Sequence, residues 1–176
     1  MRASRVHADW AAEDAARLGH FLELLPSVPG ILATYASTDL EPDTHALIEE
    51  LVERGWEVRL PVLRKQVDWA RFDGKIRPGW NGIPEPTGPR LGPASLANCD
   101  IVSVSCLQVS RDGHRLGVGV GWYDRALLHR NPAALVLAWA RDDEVVDTLP
   151  HEPHDQLVDG FVTESGAVLL SSPTNR

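Results

Sequence analysis

The spacing of apolar residues predicts two helices in the first third of the chain. Residues 11–25 form an amphipathic pattern that ends at a proline. Residues 43–55 form the clearer helix, with Asp43 or Thr44 available to cap its first turn and Gly55 placed where a left-handed residue ends a helix. One face of this second helix is predicted to be buried, and it carries Leu47, Ile48, Leu51 and Val52.

Short apolar runs between the helical segments predict buried strands. They occupy residues 30–36, 57–63, 100–109 and 133–140. A further helix is predicted to begin at Trp122. Strands and helices that alternate at this spacing are typical of a sheet covered by helices on both faces. The sequence therefore predicts a three-layer α/β fold whose sheet is mostly parallel or mixed.

One segment interrupts this alternation. Residues 68–98 concentrate glycine and proline and show neither a helical nor a strand period. A loop of this length is usually functional or disordered. The embedded Trp80 and Ile83 favour a flap over an active site, and a solvated linker is the alternative. The 176 residues, 43% of them hydrophobic, suit one core. Residues 1–176 are therefore expected to form a single domain with 68–98 as an excursion.

Charge and composition narrow the possible partners. The 17 basic and 25 acidic residues give a net charge of −8, which argues against binding to nucleic acid or to an anionic membrane. No apolar run suits a signal peptide or a membrane span, so a cytoplasmic protein is expected. The protein is also expected to be a monomer. Cys99 and Cys106 lack the spacing of a metal site and are predicted to be reduced, buried thiols.

The densest chemical signal is RLGVGVGWYDR, residues 115–125, in which three glycines alternate. Such glycines allow positive φ and let backbone amides converge on an anion. Arg115 before them can pair with a phosphate oxygen, and Asp124 after them can hold a divalent cation that bridges phosphates. The spacing matches neither common nucleotide-binding fingerprint. A tight strand-to-helix turn without a ligand is the alternative interpretation.

Four segments in order support a family resemblance. The first is TYASTDLEPDTHALIEELVERGWEVRLPVL, and the others are GIPEPTG, DIVSVSCLQVSRDGHRLGVGVGWYDRAL and LPHEPHDQLVDGFVTE. Together they resemble the motifs of the 5-formyltetrahydrofolate cyclo-ligase family, also called 5,10-methenyltetrahydrofolate synthetases. The likeness extends from about Tyr35 to Glu164, which is most of the chain.

The resemblance implies an enzyme that uses ATP and Mg²⁺ and takes small molecules, a reduced folate and ATP, as its partners. ATP would phosphorylate the formyl oxygen of 5-formyltetrahydrofolate, and N10 would close the ring to give 5,10-methenyltetrahydrofolate. No side-chain nucleophile is needed, because phosphorylation turns a poor leaving group into a good one. The alternatives are a non-catalytic folate-binding or nucleotide-binding relative on the same fold, or a different small ATP-dependent ligase.

The resemblance also implies roles for particular residues. Arg115 would hold ATP phosphates and face the reacting formyl group, and Asp124 would lie against Mg²⁺, with Asp155 as a second acid near the metal. Glu41 would accept hydrogen bonds from the pterin edge; the alternative is a solvated residue near a helix start. Trp122 and Tyr123 would form a wall for the pterin or nucleotide, or belong to the core. The phosphate cradle would consist of Gly117, Val118, Gly119, Val120 and Gly121.

The chain departs from the family pattern at several positions. Ser105 and Cys106 stand where Pro-Gly is usual, and Val120 is expected to resist positive φ and to stiffen the cradle. Many members begin with a helix whose basic residues reach ATP, and here Arg2 and Arg5 are the nearby candidates for that role.

Overall fold

A seven-stranded sheet forms the centre of the molecule, of which the computed structural model describes residues 10–170; Arg2 and Arg5 lie outside this range. The helices are α1 (Trp10–Glu23), α2 (His45–Glu53) and α3 (Trp122–Leu127). The strands are β1 (Ile31–Ala33), β2 (Glu57–Leu63), β3 (Val67–Arg71), β4 (Ile76–Pro78), β5 (Pro84–Pro86), β6 (Ile101–Ser105), β7 (Gln108–Ser110), β8 (Arg115–Leu116), β9 (Leu135–Trp139), β10 (Val145–Val146), β11 (Gly160–Thr163) and β12 (Gly166–Leu169).

The order of strands in this sheet is β12-β11-β9-β6-β1-β2-β3. The five inner strands run parallel, and the two edge strands β3 and β12 pair antiparallel with their neighbours. Two small sheets, β10-β7-β8 and β4-β5, lie outside it. A mostly parallel sheet with antiparallel edges confirms the predicted sheet type.

Both faces of the sheet are covered. Strand β9 shows the alternation that this requires, because Val136 and Ala138 belong to one apolar cluster and Leu137 and Trp139 to the other. The first cluster contains residues of α3 and of the 3₁₀ helix Pro93–Asn98. The second cluster contains residues of α1 and α2. The predicted three-layer α/β architecture is therefore confirmed.

Several predicted elements differ from the observed ones at their ends. The run predicted at 30–36 forms a strand only over Ile31–Ala33. The run predicted at 100–109 is not one strand, because the chain leaves the large sheet after Ser105 and enters a small sheet at Gln108. Val52 is 45% exposed, so its predicted burial is wrong; the buried residues of α2 are Leu47, Ile48 and Leu51.

The segment 68–98 contains more regular structure than its composition predicts. Most of β3 lies inside it, paired with β2 at the sheet edge, and β4 and β5 form a separate hairpin. The prediction of no strand period was wrong there because Asp68 interrupts the apolar run. The Oδ1 atom of Asp68 accepts the amide of Gly92 at 2.8 Å, so a polar residue is satisfied inside a strand.

The two cysteines are both free and buried, as predicted. Burial raises the pKa of the Cys99 thiol to about 11, against the effect of the nearby Arg59, so this thiol stays protonated at neutral pH. Within residues 10–170, no helix combines the length and the apolar content that a membrane span requires.

Candidate active site

A cavity of about 370 Å³ opens at the carboxyl ends of the central parallel strands. The chain builds the sheet from β1 towards β2 on one side and from β6 towards β9 on the other. The strand order therefore reverses between β1 and β6, and open α/β sheets bind ligands at such a switch point. The lining includes Tyr35 and Ala36 after β1, Ser105 at the end of β6, and Cys106 and Leu107 after it. The topology brings these chain segments, distant in sequence, to one site.

Part of the cavity lining comes from residues 117–121, which we call the glycine turn; its lining residues are Gly117, Val118, Val120 and Gly121. Gly119 and Gly121 have φ of 84° and 66°, a region that favours glycine, whereas Gly117 does not. Val120 is not in this region, since Asn81 is the only non-glycine residue of the described chain with positive φ, so the expected conflict at Val120 does not arise. A Cβ added at Gly117 or Gly119 would meet nothing within 4 Å. Space beside the glycine turn is therefore open.

The backbone amides of the glycine turn point to the same conclusion. In the described part of the chain, none of them donates a hydrogen bond to another protein group. The carbonyl of Val120 accepts a hydrogen bond at 2.9 Å from the Arg125 guanidinium, which helps to hold the turn in shape. Val118, in the middle of the turn, is 70% exposed. The amides are thus available to a ligand.

Arg115 and Asp124 are joined in an ion pair beside this turn. The Nη2 atom of Arg115 lies 2.5 Å from Oδ1 of Asp124, and Nη1 donates to the backbone oxygen of Gln156. The same Oδ1 accepts the amide of Gln156 at 3.2 Å. The side chains are 5% and 23% exposed, respectively, and both residues line the cavity. The structure thus brings the predicted cation and the predicted carboxylate together.

The two aromatic residues after the glycine turn also line the cavity. Trp122 makes an edge-to-face contact with Trp80 at 5.3 Å between ring centroids, and this contact joins the β4-β5 hairpin to the glycine turn. The guanidinium carbon of Arg115 lies 5.9 Å from the centre of the Tyr123 ring. Burial raises the pKa of Tyr123 to about 12, although hydrogen bonding with Ser105 opposes the rise. Tyr123 is therefore a hydrogen-bond donor at neutral pH rather than a base.

Glu41 also lines the cavity, in a segment that we call the Glu41 loop (residues 35–44). Its Oε2 accepts hydrogen bonds from the amide and the hydroxyl of Thr38, at 2.9 and 3.0 Å. The amide of Glu41 in turn donates to the carbonyl of Thr38 at 2.9 Å. A tight local turn thus holds a carboxylate at the cavity wall.

Two predicted site residues do not line the cavity: Gly119, whose neighbours in the glycine turn do, and Asp155. The Oδ2 atom of Asp155 accepts the amide of Glu152 at 2.8 Å, and its Oδ1 lies 3.8 Å from Nε2 of His154. Over residues 10–170 there is no group of three or more His, Cys, Asp or Glu side chains arranged to hold a metal ion. A metal at this cavity would therefore need ligands from a bound molecule.

Sequence reasoning missed most of the apolar wall. The missed lining residues are Tyr35, Ala36, Leu40, Pro61, Leu63, Val67, Pro84, Cys106 and Leu107. The apolar lining residues that were anticipated are Ile83, as part of a flap, and Val118, Val120, Trp122 and Tyr123, as part of the site. The apolar residues gave no signal in the sequence, because they look like ordinary core residues until the fold places them around a space.

The hairpin that carries this flap is held by a buried carboxylate. Oε2 of Glu85 lies 3.0 Å from Nη1 of Arg64, and Oε1 accepts a hydrogen bond from Nε of Arg77 at 3.1 Å. Burial alone would raise the pKa of Glu85, but the hydrogen bonds and charges of Arg64 and Arg77 outweigh it and hold the pKa below its ordinary value. Glu85 therefore stays ionised and ties the hairpin to the end of β2.

These features together define what the cavity can bind. Its apolar wall suits a flat ring system, and Glu41 can accept hydrogen bonds from the edge of such a ring. The open amides of the glycine turn and the Arg115 guanidinium suit an anion. The cavity is therefore equipped for a heterocycle and a phosphate-bearing molecule side by side.

Comparison with known proteins gives matches of the same kind. A family model described as the 5-formyltetrahydrofolate cyclo-ligase family matches residues 8–164. A 5-formyltetrahydrofolate cyclo-ligase of Mycolicibacterium smegmatis is 36% identical over 150 residues, which are 78% of this chain and 75% of the relative.

Two solved structures show a similar fold. One is the NMR structure of 5,10-methenyltetrahydrofolate synthetase from Aquifex aeolicus, with a TM-score of 0.75 and 27% identity over 93% of this chain and 84% of that one. The other is a 5,10-methenyltetrahydrofolate synthetase from Mycoplasma pneumoniae, with a TM-score of 0.73 and coverage of 93% and 92%; at 17% identity it supports the fold alone.

Proposed function

The chain belongs to the 5-formyltetrahydrofolate cyclo-ligase family, and from that premise we propose that it converts 5-formyltetrahydrofolate to 5,10-methenyltetrahydrofolate at the cavity described above. ATP transfers its γ-phosphoryl group to the formyl oxygen, N10 attacks the activated carbon, and the C–O bond to phosphate breaks. The products are the methenyl folate, ADP and phosphate. This chemistry needs two ligands in the correct relative position and neutralisation of phosphate charge, rather than a protein nucleophile.

The observation that carries the proposal is the open glycine turn in the same cavity as Glu41. Among the described residues, the backbone amides of the turn make no hydrogen bond to the protein, and Arg115 belongs to the same cavity lining. Backbone amides and arginine are common phosphate-binding groups. We assign the phosphates of ATP to this side of the cavity, with Arg115 and residues 117–121 as the binding groups.

The part of the cavity that the Glu41 loop lines is assigned to the reduced folate. In this proposal the Glu41 carboxylate accepts N–H donors of the pterin edge, and the apolar wall encloses the ring. Trp122 and Tyr123 line the same cavity and would contact one of the two ligands. This arrangement would place the formyl group between the pterin and the phosphates.

Asp124 fits a role as a magnesium ligand. Both of its described hydrogen bonds go to Oδ1, and its Oδ2 lies on the side of Gly121, 3.8 Å from where a Cβ would stand there. Mg²⁺ typically takes one or two carboxylates together with substrate phosphates and water, so a single well-placed acid is sufficient. The ion would neutralise charge on the transferring phosphoryl group. Asp155 would need to move away from Glu152 to contribute.

The proposal is tested by the absorbance of the methenyl product. Purified protein with ATP, Mg²⁺ and 5-formyltetrahydrofolate is expected to produce this absorbance, and omission of ATP or addition of EDTA is expected to abolish it. Folate binding without product at any ATP concentration would contradict the proposal and favour a non-catalytic folate-binding relative. ATP hydrolysis that does not depend on this folate would instead favour a ligase with another substrate.

A further inference from the structure

A fully buried arginine in α1 connects the helix to the ends of two strands. Arg17 is 0% exposed, and its Nε donates to the carbonyl of Ala140, after β9, at 2.7 Å. Its Nη2 lies 2.6 Å from Oε2 of Glu164, after β11, and its Nη1 lies 2.5 Å from Oδ1 of Asp14. Three groups on three different elements therefore fix this guanidinium.

The same Asp14 oxygen continues the network into the Glu41 loop. Oδ1 of Asp14 also accepts the backbone amide of Asp43 at 3.1 Å. The carbonyl of Asp43 accepts the indole N–H of Trp139 at 3.0 Å. Asp43 is thus held from one side by α1 and from the other by the end of β9.

Asp43 transmits this constraint to both ends of the loop. Its carboxylate accepts the amides of His45 and Ala46, both at 3.1 Å, which caps the first turn of α2. The Oδ1 atom also lies 3.3 Å from the hydroxyl of Ser37, and the amide of Ser37 donates to the hydroxyl of Thr44 at 3.0 Å. Residues 38–42, which include Glu41, lie between these two anchored ends.

Anchoring a helix with a buried guanidinium has a large desolvation cost. Removing a guanidinium from water costs several kcal/mol, which its hydrogen bonds and ion pairs must offset. Apolar residues of similar size often give equal stability. Helix α1 already has an apolar anchor, because Phe21 is fully buried and its ring lies 5.6 Å from that of Trp139. The geometric precision of three directed contacts is what the guanidinium adds.

We propose that Arg17, acting through Asp14 and Asp43, is a positioning residue for Glu41 and thereby sets the affinity for the reduced folate. This inference rests on the proposed function, in which Glu41 binds the pterin edge. It is distinct from that function because Arg17 and Asp14 do not line the cavity and contact neither proposed ligand site.

The decisive variant is Asp14→Ala, which cuts the connection between Arg17 and Asp43. It is expected to raise the KM for 5-formyltetrahydrofolate about tenfold, since small misplacements of binding groups are costly, and to leave the KM for ATP within about twofold. Asp14→Asn keeps an oxygen for the Asp43 amide and is expected to recover most of the loss. Thermal unfolding of each variant confirms that it is folded. If Asp14→Ala does not fold, Asp14→Leu, which also removes the acceptor but keeps a similar side-chain length, carries the test.

The matched control is Glu13→Ala. Glu13 precedes Asp14 on the same helix and also lies near a buried arginine, with Oε2 3.7 Å from Nε of Arg141. No described hydrogen bond connects the Glu13 side chain to the Glu41 loop. Its removal is expected to change stability while leaving the folate KM unchanged.

A double-mutant cycle separates positioning from a general structural role. If Asp14 acts through Glu41, then Asp14→Ala adds no further rise in folate KM to a Glu41→Gln background. Independent effects that multiply, or equal rises in both KM values for Asp14→Ala, would overturn the inference. Absence of turnover by the parent chain would contradict the proposed function instead, whereas normal turnover with an unchanged folate KM in Asp14→Ala would contradict only the positioning role.

Discussion

Two parts of the cavity lining, which we call the Glu41 side (the Glu41 loop) and the glycine side (the glycine turn), are held in opposite ways. The Glu41 loop is anchored at both ends by Asp43, Ser37 and Thr44, and this anchor continues to a fully buried arginine. In the glycine turn, Val118 is exposed, the Arg125 guanidinium contacts the backbone, and the backbone amides have no hydrogen-bond partner among residues 10–170. The Glu41 loop is therefore pre-organised in the absence of a ligand, whereas the glycine turn is open.

This difference suits two ligands of different rigidity. A pre-organised site binds a rigid ring with a small entropic cost, because few groups must be ordered on binding. A triphosphate is flexible and highly charged, and a turn with open amides can close around it. The contrast predicts that damage to the glycine side reduces catalysis and ATP binding, while damage to the Glu41 side reduces folate affinity.

The largest effect is expected at the junction of the two sides, in Asp124→Asn. This variant keeps an oxygen for Arg115 and Gln156 but removes the negative charge that we assign to Mg²⁺. We expect kcat to fall by about a hundredfold or more, as for loss of a group that stabilises transition-state charge. Folate affinity, measured by calorimetry without ATP, is expected to change by less than about threefold.

A loss of folate affinity as large as the loss of kcat would show that Asp124 supports the whole cavity. The contrast between the two sides would then be wrong. Thermal unfolding distinguishes this outcome from a simple loss of folding, since Asp124 also balances the charge of the buried Arg115.

A smaller effect is expected from Gly119→Ala, which stiffens the open side. The added Cβ meets nothing within 4 Å, so the cost comes from the backbone φ of 84° and is about 1 kcal/mol or slightly more. We expect a several-fold increase in the KM for ATP and little change for the folate. Steady-state kinetics with each substrate varied in turn measures both values.

Gly117→Ala is the matched control for this prediction. Gly117 also has open space beside it but lacks positive φ, so alanine causes no backbone strain there. If the two variants behave alike, then a Cβ in the path of the phosphates, rather than the conformation of the turn, limits ATP binding.

The smallest effect is expected from Glu85→Gln, in the hairpin that covers the cavity. The folded-state pKa of Glu85 lies below its ordinary value of 4.5, so its ionic contribution is present at neutral pH and is lost as pH falls through the folded pKa. We expect the variant to be less stable by about 1 kcal/mol at pH 7, because Arg64 and Arg77 are partly solvated. The difference should disappear in acid.

Chemical denaturation at several pH values measures this difference. A stability gap that persists unchanged well below pH 4 would contradict an ionic role for Glu85. An accompanying rise in either KM would show to which side of the cavity the hairpin contributes.

Local sequence patterns predicted the elements with strong periodicity. The range of β2 agrees with its predicted bounds, and α2 has both its aspartate cap and a positive-φ residue at Gly55. Agreement was poorer where a strand depends on its neighbours. Strand β3 carries Asp68, and it is a strand because β2 offers an open edge and Gly92 satisfies the carboxylate.

The sequence by itself determined the α/β class, the glycine turn and the family, because these depend on periodicity and on motifs within short stretches of chain. Only the tertiary structure decided that Arg115 pairs with Asp124, that Glu41 faces the same cavity, and that an arginine lies fully buried in α1. Arg17 and Ala140, which are hydrogen-bonded, are 123 residues apart in sequence. No local pattern reports such a contact, since it exists only after the sheet has brought both elements together.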